Sequence, residues 1–340
     1  MTAVLAFLRR PAVLVVVGVV VSAGALWLVL RGVDVGRVAS ILGAADGRPL
    51  LVALGVIVVQ ALVRATRWRL LLPRRADGSR VPVLASLGAM LVGYLGNAVM
   101  PARLGEVVRA TLIGRREGIG APEAVGSVVL ERILDVLVLA ALGATAATLV
   151  AAPGWMGTAA LTGLLIAIGA LVAAGVVGFV AHRGASVRAP AWVARIEPVA
   201  RLVGRVAAGA RIADRPVAIG AAALLTIVAW LLDATVFWLV ARSLGLELAP
   251  VAAVLVSAMA VLSTAVPTAP GYIGTFELAA VAAAGVAGIV GDAAVAFAVL
   301  AHVTAVVPLS LAGAAALWLI GGRSLRDLGR VRPLRGAPTR

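Results

Sequence analysis

Gly93-Tyr-Leu-Gly96-Asn97-Ala-Val-Met-Pro101-Ala-Arg103-Leu-Gly105-Glu106-Val-Val-Arg109 interrupts an apolar run that extends over residues 81–113. The run exceeds the roughly 20 apolar residues that a transmembrane helix needs. It is not one straight helix, however. Pro101 lacks a backbone N–H and breaks or kinks a helix. Arg103, Glu106 and Arg109 then place charge where a span should be apolar. Broken backbone at membrane depth is tolerated only where protein or a wet cavity surrounds it. A second run, 250–290, is broken in the same manner by Ala265-Val-Pro267-Thr-Ala-Pro270-Gly271-Tyr-Ile-Gly274-Thr-Phe-Glu277. Each break contains Pro, three residues, Gly, and then Glu within three positions.

The rest of the chain supports a membrane reading. Hydrophobic residues make up 62% and charged residues 13% of the 340 residues, against about 45–50% and about 25% in soluble domains. There is no Cys and no Lys, which excludes disulfides, thiolate chemistry and Schiff bases. With two His, a His-rich metal site is excluded, and no metal or cofactor is expected. The net charge of +15 resides in Arg residues that punctuate apolar runs. Such punctuation sets membrane orientation and argues against a nucleic-acid partner.

The hydrophobic pattern predicts full spans over 11–30, 50–72, 121–150, 158–181, 216–241 and 293–320. The first follows Arg9 and Arg10 and reads as an anchor helix, not a cleaved signal. Arg64, Arg67 and Arg69 at the end of the second are expected to snorkel to the interface. Trp68, Tyr94, Trp155, Trp192 and Trp318 are expected in the aromatic belts. Residues 182–215 form a basic connector with seven Arg and two acids. Within it, Val199, Leu202, Val203 and Val206 share one face of an expected surface helix. An Arg-rich tail covers 321–340.

Basic connectors stay cytoplasmic. One topology satisfies that rule, with both termini cytoplasmic in the cell membrane. The broken segments then enter and leave on one side, the first from the cytoplasm and the second from outside. Counting each as two full spans preserves the sidedness; the short arms favour re-entrant hairpins. The expected fold is an all-α integral membrane protein of six full spans plus two Pro/Gly-broken re-entrant helical hairpins, or eight to ten hydrophobic helices. Residues 50–150 and 216–320 run in opposite senses, as inverted-topology repeats of alternating-access transporters do. In that plan the substrate lies where the paired breaks meet.

Gly93-Tyr-Leu-Gly-Asn97, Pro101-Ala-Arg103-Leu-Gly-Glu106, Arg109, Glu131-Arg132 with Asp135, and Pro270-Gly271 with Gly274 and Glu277 resemble the lysylphosphatidylglycerol synthase transmembrane, or flippase-like, family over roughly residues 11–320. The resemblance implies lipid translocation. Aminoacyl transfer belongs to a separate soluble domain in the bifunctional members, and with residues 321–340 following the last expected span that activity is not expected here. Some stand-alone members are linked to polyprenyl-phosphate sugar pathways.

Function is expected in the charged residues at depth, which usually pair and face the bundle interior. Arg103, Glu106 and Arg109 follow one helical face. They form either a phosphate clamp, because guanidinium forks suit phosphate oxygens, or an internal ion-pair set. Glu131 and Asp135 share a face and are candidates for head-group contact, with Arg132 as neutralising partner. Asn97 and Glu277 complete the candidate substrate contacts. Glu106 and Glu277 also suit the positive ends of half-helices beginning after the breaks. Pro101, Gly105, Pro267, Pro270, Gly271 and Gly274 are the candidate hinges. Asp233, with no basic neighbour within a helical turn, and His302 are candidates for proton coupling. The expected function is translocation of an anionic phospholipid or polyprenyl-phosphate-linked lipid, without enzymatic activity. A lipid-modifying enzyme and a proton-coupled transporter of a small solute are the alternatives. A homo-oligomer and a functional partner enzyme that makes the lipid complete the expected partners.

Overall fold

The computed structural model describes residues 11–100, 103–155, 157–158, 162, 165, 169, 216–266 and 268–328. The 182–215 connector with its expected surface helix, most of the 158–181 span, Pro101, Pro267, Trp192 and the tail beyond 328 lie outside the described residues. Among the described residues there is no strand. The long helices are α1 (Pro11–Leu30), α2 (Val35–Gly43), α3 (Gly47–Leu71), α4 (Val83–Val99), α5 (Leu104–Glu117) and α6 (Ala121–Leu149), then α7 (Pro216–Ser243), α8 (Pro250–Ser263), α9 (Thr275–Val286) and α10 (Gly291–Leu328). A short 3-10 turn, Pro270–Tyr272, lies between α8 and α9.

Local chemistry explains the boundaries. Asp34 and Asp46 begin α2 and α3 by accepting the N–H groups of Arg37 and Arg48. Pro250 sits in the first turn of α8, where its missing N–H costs nothing. Gly118 ends α5 in the left-handed conformation that glycine adopts without strain. The short amphipathic α2 was not anticipated; it leaves α1 at 83°.

Among the described residues α3, α7 and α10 are long and apolar enough to cross a membrane; α1 with α2 is a fourth candidate if that bent pair is one span. This is a smaller set than the six full spans expected. α6 has the length, at 29 residues, but Glu123, Glu131, Arg132 and Asp135 interrupt its apolar character. Each broken segment forms two short helices packed on each other, α4 on α5 and α8 on α9.

The lipid-compatible surface is populated by exposed Leu51, Val58, Val59, Leu224 and Leu311. The interior is built largely of small residues. Ala280, Ala283, Ala284, Ala294, Ala298 and Ala301 are buried together with Phe237, Phe276 and Phe297. Hydrocarbon tails are as apolar as the core, so close backbone approach supplies dispersion contacts that lipid would not. The α4–α5 crossing shows how close. A Cβ added to Gly96 would lie 2.7 Å from the Cα of Gly105. Gly105, in the first turn of α5, permits this approach because it has no side chain.

Candidate functional site

The two breaks meet. Arg103, the N-cap of α5 with φ 55, donates through Nε to the carbonyl of Thr264 at 3.1 Å and through its terminal nitrogen to the Thr264 hydroxyl. Thr264 is the C-cap of α8. The Arg103 guanidinium also lies 5.4 Å from the centroid of the Tyr272 ring, in the second break. Around this junction is a cavity of about 150 Å³. Arg64, Asn97, Arg103, Glu106, Arg132 and Asp233 supply its charged and amide wall, and Tyr94, Trp230, Tyr272 and Phe276 its aromatic wall. On α10, the wall is made by Ala305, Val306, Leu309 and Ser310, which surround Pro308. Pro308 cannot donate to the carbonyl one turn earlier, which weakens the helix where it borders the cavity.

Behind the wall lies a buried ion-pair network. Arg67 of α3 donates to Asp135 at 2.5 Å, to Glu131 at 2.5 Å and to Thr226 at 3.3 Å. Trp230 Nε1 donates to Asp135 at 3.1 Å. Arg109 lies 3.0 Å from Glu131 and donates through Nε to Glu106 at 2.7 Å. Arg132 reaches Glu106 at 2.6 Å and Asp135 at 3.2 Å. Asn97 donates to Glu106 at 3.4 Å. Each carboxylate thus touches at least one guanidinium, which is what keeps buried ions tolerable.

Several sequence expectations change here. Arg67 does not snorkel; it is 1% exposed and organises Glu131 and Asp135. Arg64 turns inward as well, 3.5 Å from Asp233 and 4.6 Å from the Trp230 ring centroid. Asp233 consequently has a basic partner, supplied by another helix, and also accepts from Gln60 at 2.8 Å. Trp68 is buried under Arg109 and donates to Ser127 at 3.0 Å; Tyr94 lines the cavity. Neither is a belt residue, whereas Trp155 and Trp318 are exposed. Arg109, Glu131 and Asp135 stand in the layer behind the cavity. Glu277 is not in its wall. Glu277 accepts the N–H of Gly274 at 2.6 Å and pairs with Nδ1 of His302. Gly271 and Gly274 are true backbone breaks, with φ 75 and 94, and Pro270 opens the turn that holds them.

Two features bear on ligand chemistry. First, Arg103 has no carboxylate ion pair among the described residues. Arg64, Arg67, Arg103, Arg109 and Arg132 face Glu106, Glu131, Asp135 and Asp233, so the assembly retains one positive charge. Second, Asn97 Oδ1, Arg132 Nε, Asp233 Oδ2 and Ser310 Oγ are buried without a hydrogen-bond partner, and all four residues line the cavity. Buried polar groups ordinarily have partners, so four unpaired atoms on residues of one cavity wall mark a region whose polar groups are incompletely satisfied. Among the described residues no cluster of acidic or His side chains suits a metal ion.

These features define a helical membrane protein whose broken helices enclose a cationic, aromatic-walled cavity. The chain belongs to the family of the lysylphosphatidylglycerol synthase TM region, which matches residues 15–313. It is also 31% identical over 325 aligned residues to the Glycosyltransferase AglD of Haloferax volcanii, covering 85% of this chain and 52% of that protein. The chain therefore spans about half the length of that relative. The relative's name overturns the expectation of a chain without enzymatic activity, and that expectation is withdrawn.

Proposed function

We propose that the cavity receives the phosphate-bearing head group of an anionic membrane lipid, and that the protein moves this lipid between the leaflets of the cell membrane. The observation that carries the reading is Arg103, a guanidinium in the cavity wall with no carboxylate ion pair among the described residues. Arg132, with Nε unpartnered and its side chain 34% exposed, is the second anion-facing group. Guanidinium groups bind phosphate oxygens through paired, charge-assisted hydrogen bonds. The lipid class is a phospholipid or a polyprenyl-phosphate-linked lipid. In this reading residues 50–150 and 216–320 act as inverted repeats with re-entrant breaks and cytoplasmic termini, and the Arg103–Thr264 contact is where the two repeats hold the head group between them.

A second reading has specific support. The glycosyltransferase name of the Haloferax relative and the carboxylate of Asp233, a cavity-lining residue whose Oδ2 is unpartnered, favour chemistry on the same lipid. A carboxylate placed against a hydroxyl serves as a general base in group transfer. Both readings use one lipid site. They separate when purified protein is reconstituted in vesicles with fluorescent phosphatidylglycerol or a polyprenyl monophosphate. Leaflet exchange with unchanged lipid mass supports translocation. A mass change that requires a glycosyl donor supports transfer. Binding of neither lipid above that of phosphatidylcholine contradicts the site itself.

A further inference from the structure

We propose that Glu277 and His302 form a proton-binding site, one layer behind the cavity, and that its occupancy is coupled to lipid movement. The proposal rests on the lipid-site reading above and supplies its energy coupling.

The argument is one of counting protons. His302 is 7% and Glu277 6% exposed. Nε2 of His302 faces the carbonyl of Gly271 at 2.8 Å, and Nδ1 faces Oε1 of Glu277. A carbonyl oxygen only accepts, so the first contact needs hydrogen on Nε2. The second then needs hydrogen on Nδ1 or on the carboxyl group. A neutral imidazole beside an ionised carboxylate carries one hydrogen and satisfies one contact, leaving two acceptors face to face in the other. The arrangement as it stands therefore holds one additional proton shared by the pair.

Both contacts clamp the second break. Gly271 and Gly274 flank Tyr272, and all three have positive φ. Nε2 of His302 holds the Gly271 carbonyl, and Oε2 of Glu277 holds the Gly274 N–H. Tyr272, between them, lies on the Arg103 guanidinium. The ring of His302 stacks on Phe276, another cavity-wall residue, at 4.4 Å between centroids. Loss of the proton releases one end of this turn and so loosens Tyr272 from Arg103. Protonation holds the turn closed; deprotonation frees it.

Among the described residues no other charge is paired with Glu277 or His302. α1 and α8, which pack on α9, contain no ionisable residue. From α1 a hydrogen bond to the break comes through Ser22, whose hydroxyl accepts the N–H of Ala269 at 2.9 Å. α3, α4 and α7 contribute Arg64, Tyr94 and Asp233, which are engaged with one another at the cavity. Arg37 of α2 is paired with Asp292 of α10. Arg103 reaches the turn through the Tyr272 ring.

The chain has two histidines, His182 and His302. Full-length protein carrying His182→Gln and ¹⁵N-histidine, in lipid nanodiscs, therefore reports His302 alone. As the pH is raised, the ring-nitrogen signals should show the loss of the proton that the pair shares. Fluorescent phosphatidylglycerol movement in vesicles should depend on pH over the range of that loss, by up to about tenfold per unit for one coupled proton. His302→Gln and Glu277→Gln should flatten that profile while binding of phosphatidylglycerol persists. Invariant ring-nitrogen signals, or variants with the wild-type pH profile, would overturn the proposal. Should a variant fail to fold, the nitrogen signals still decide. Absent lipid binding at every pH defeats the lipid-site reading; intact binding with pH-independent movement defeats only the proton site.

Discussion

Arg103 and Thr264, 161 residues apart in sequence, are joined by a hydrogen bond from Nε to the carbonyl at 3.1 Å. One residue begins the helix after the first break and the other ends the helix before the second. The contact places a guanidinium that has no carboxylate ion pair among the described residues at the seam of two broken segments. The other arginines near the cavity answer to carboxylates, so they serve structure as well as electrostatics.

Arg67 is the clearest structural member. Arg67→Ala would leave Glu131 and Asp135 buried without their common partner, a change that costs about 3–5 kcal/mol in buried ion pairs. The expected result is a markedly lower thermal unfolding temperature in detergent. Arg103→Ala, which strands no carboxylate, should unfold close to wild type. Equal destabilisation of the two variants would refute this division of roles.

Asp233→Asn tests the balance of charge in the cavity. Asn retains an acceptor for Gln60 but releases Arg64 from its anionic partner. Binding of phosphatidylglycerol should tighten several-fold at fixed pH, by native mass spectrometry, because one negative charge leaves a poorly screened site. Weaker binding would mean that the Asp233–Arg64 pair positions the lipid directly. Loss of a donor-dependent product with binding retained would point to the transfer reading.

Gly96→Ala tests the packing of the first broken segment. Its Cβ would meet the backbone of Gly105 across the α4–α5 crossing. Overpacking of this kind costs about 1–3 kcal/mol, to be read as a lower unfolding temperature. Gly55→Ala, where nothing lies near the added atom, is the control and should be at least as stable as wild type. Indistinguishable behaviour of the two variants would contradict the tight crossing.

Some of this was legible in the sequence for plain reasons. Apolar runs and Pro/Gly punctuation delimit α3, α6, α7 and the two interrupted segments because backbone polar groups cannot be left unpaired in hydrocarbon. Asn97, Arg103, Glu106 and Arg132 emerge as cavity residues because charge at depth is costly without a purpose. Arg64 and Arg67 were misread because a snorkelling and a buried arginine near a helix end look alike in one strand of sequence. What distinguishes them is Asp233, Glu131 and Asp135, on other helices. Trp68 and Tyr94 were misread for the same reason, since a ring near a segment end can turn either way. Glu277 was legible as a first-turn acid. Its pairing with His302 was not, because the two lie 25 residues apart on α9 and α10.

The central claim is that Arg103 binds the head group of an anionic lipid that the protein moves. Its most direct test is the rate at which purified protein in phosphatidylcholine vesicles carries fluorescent phosphatidylglycerol across the bilayer, wild type against Arg103→Ala. Hydrogen bonds to a charged group contribute about 1.5–3 kcal/mol. The variant, folded as shown by its unfolding temperature, should therefore lose about tenfold or more of the wild-type rate. Wild-type movement by a folded Arg103→Ala protein would contradict the account.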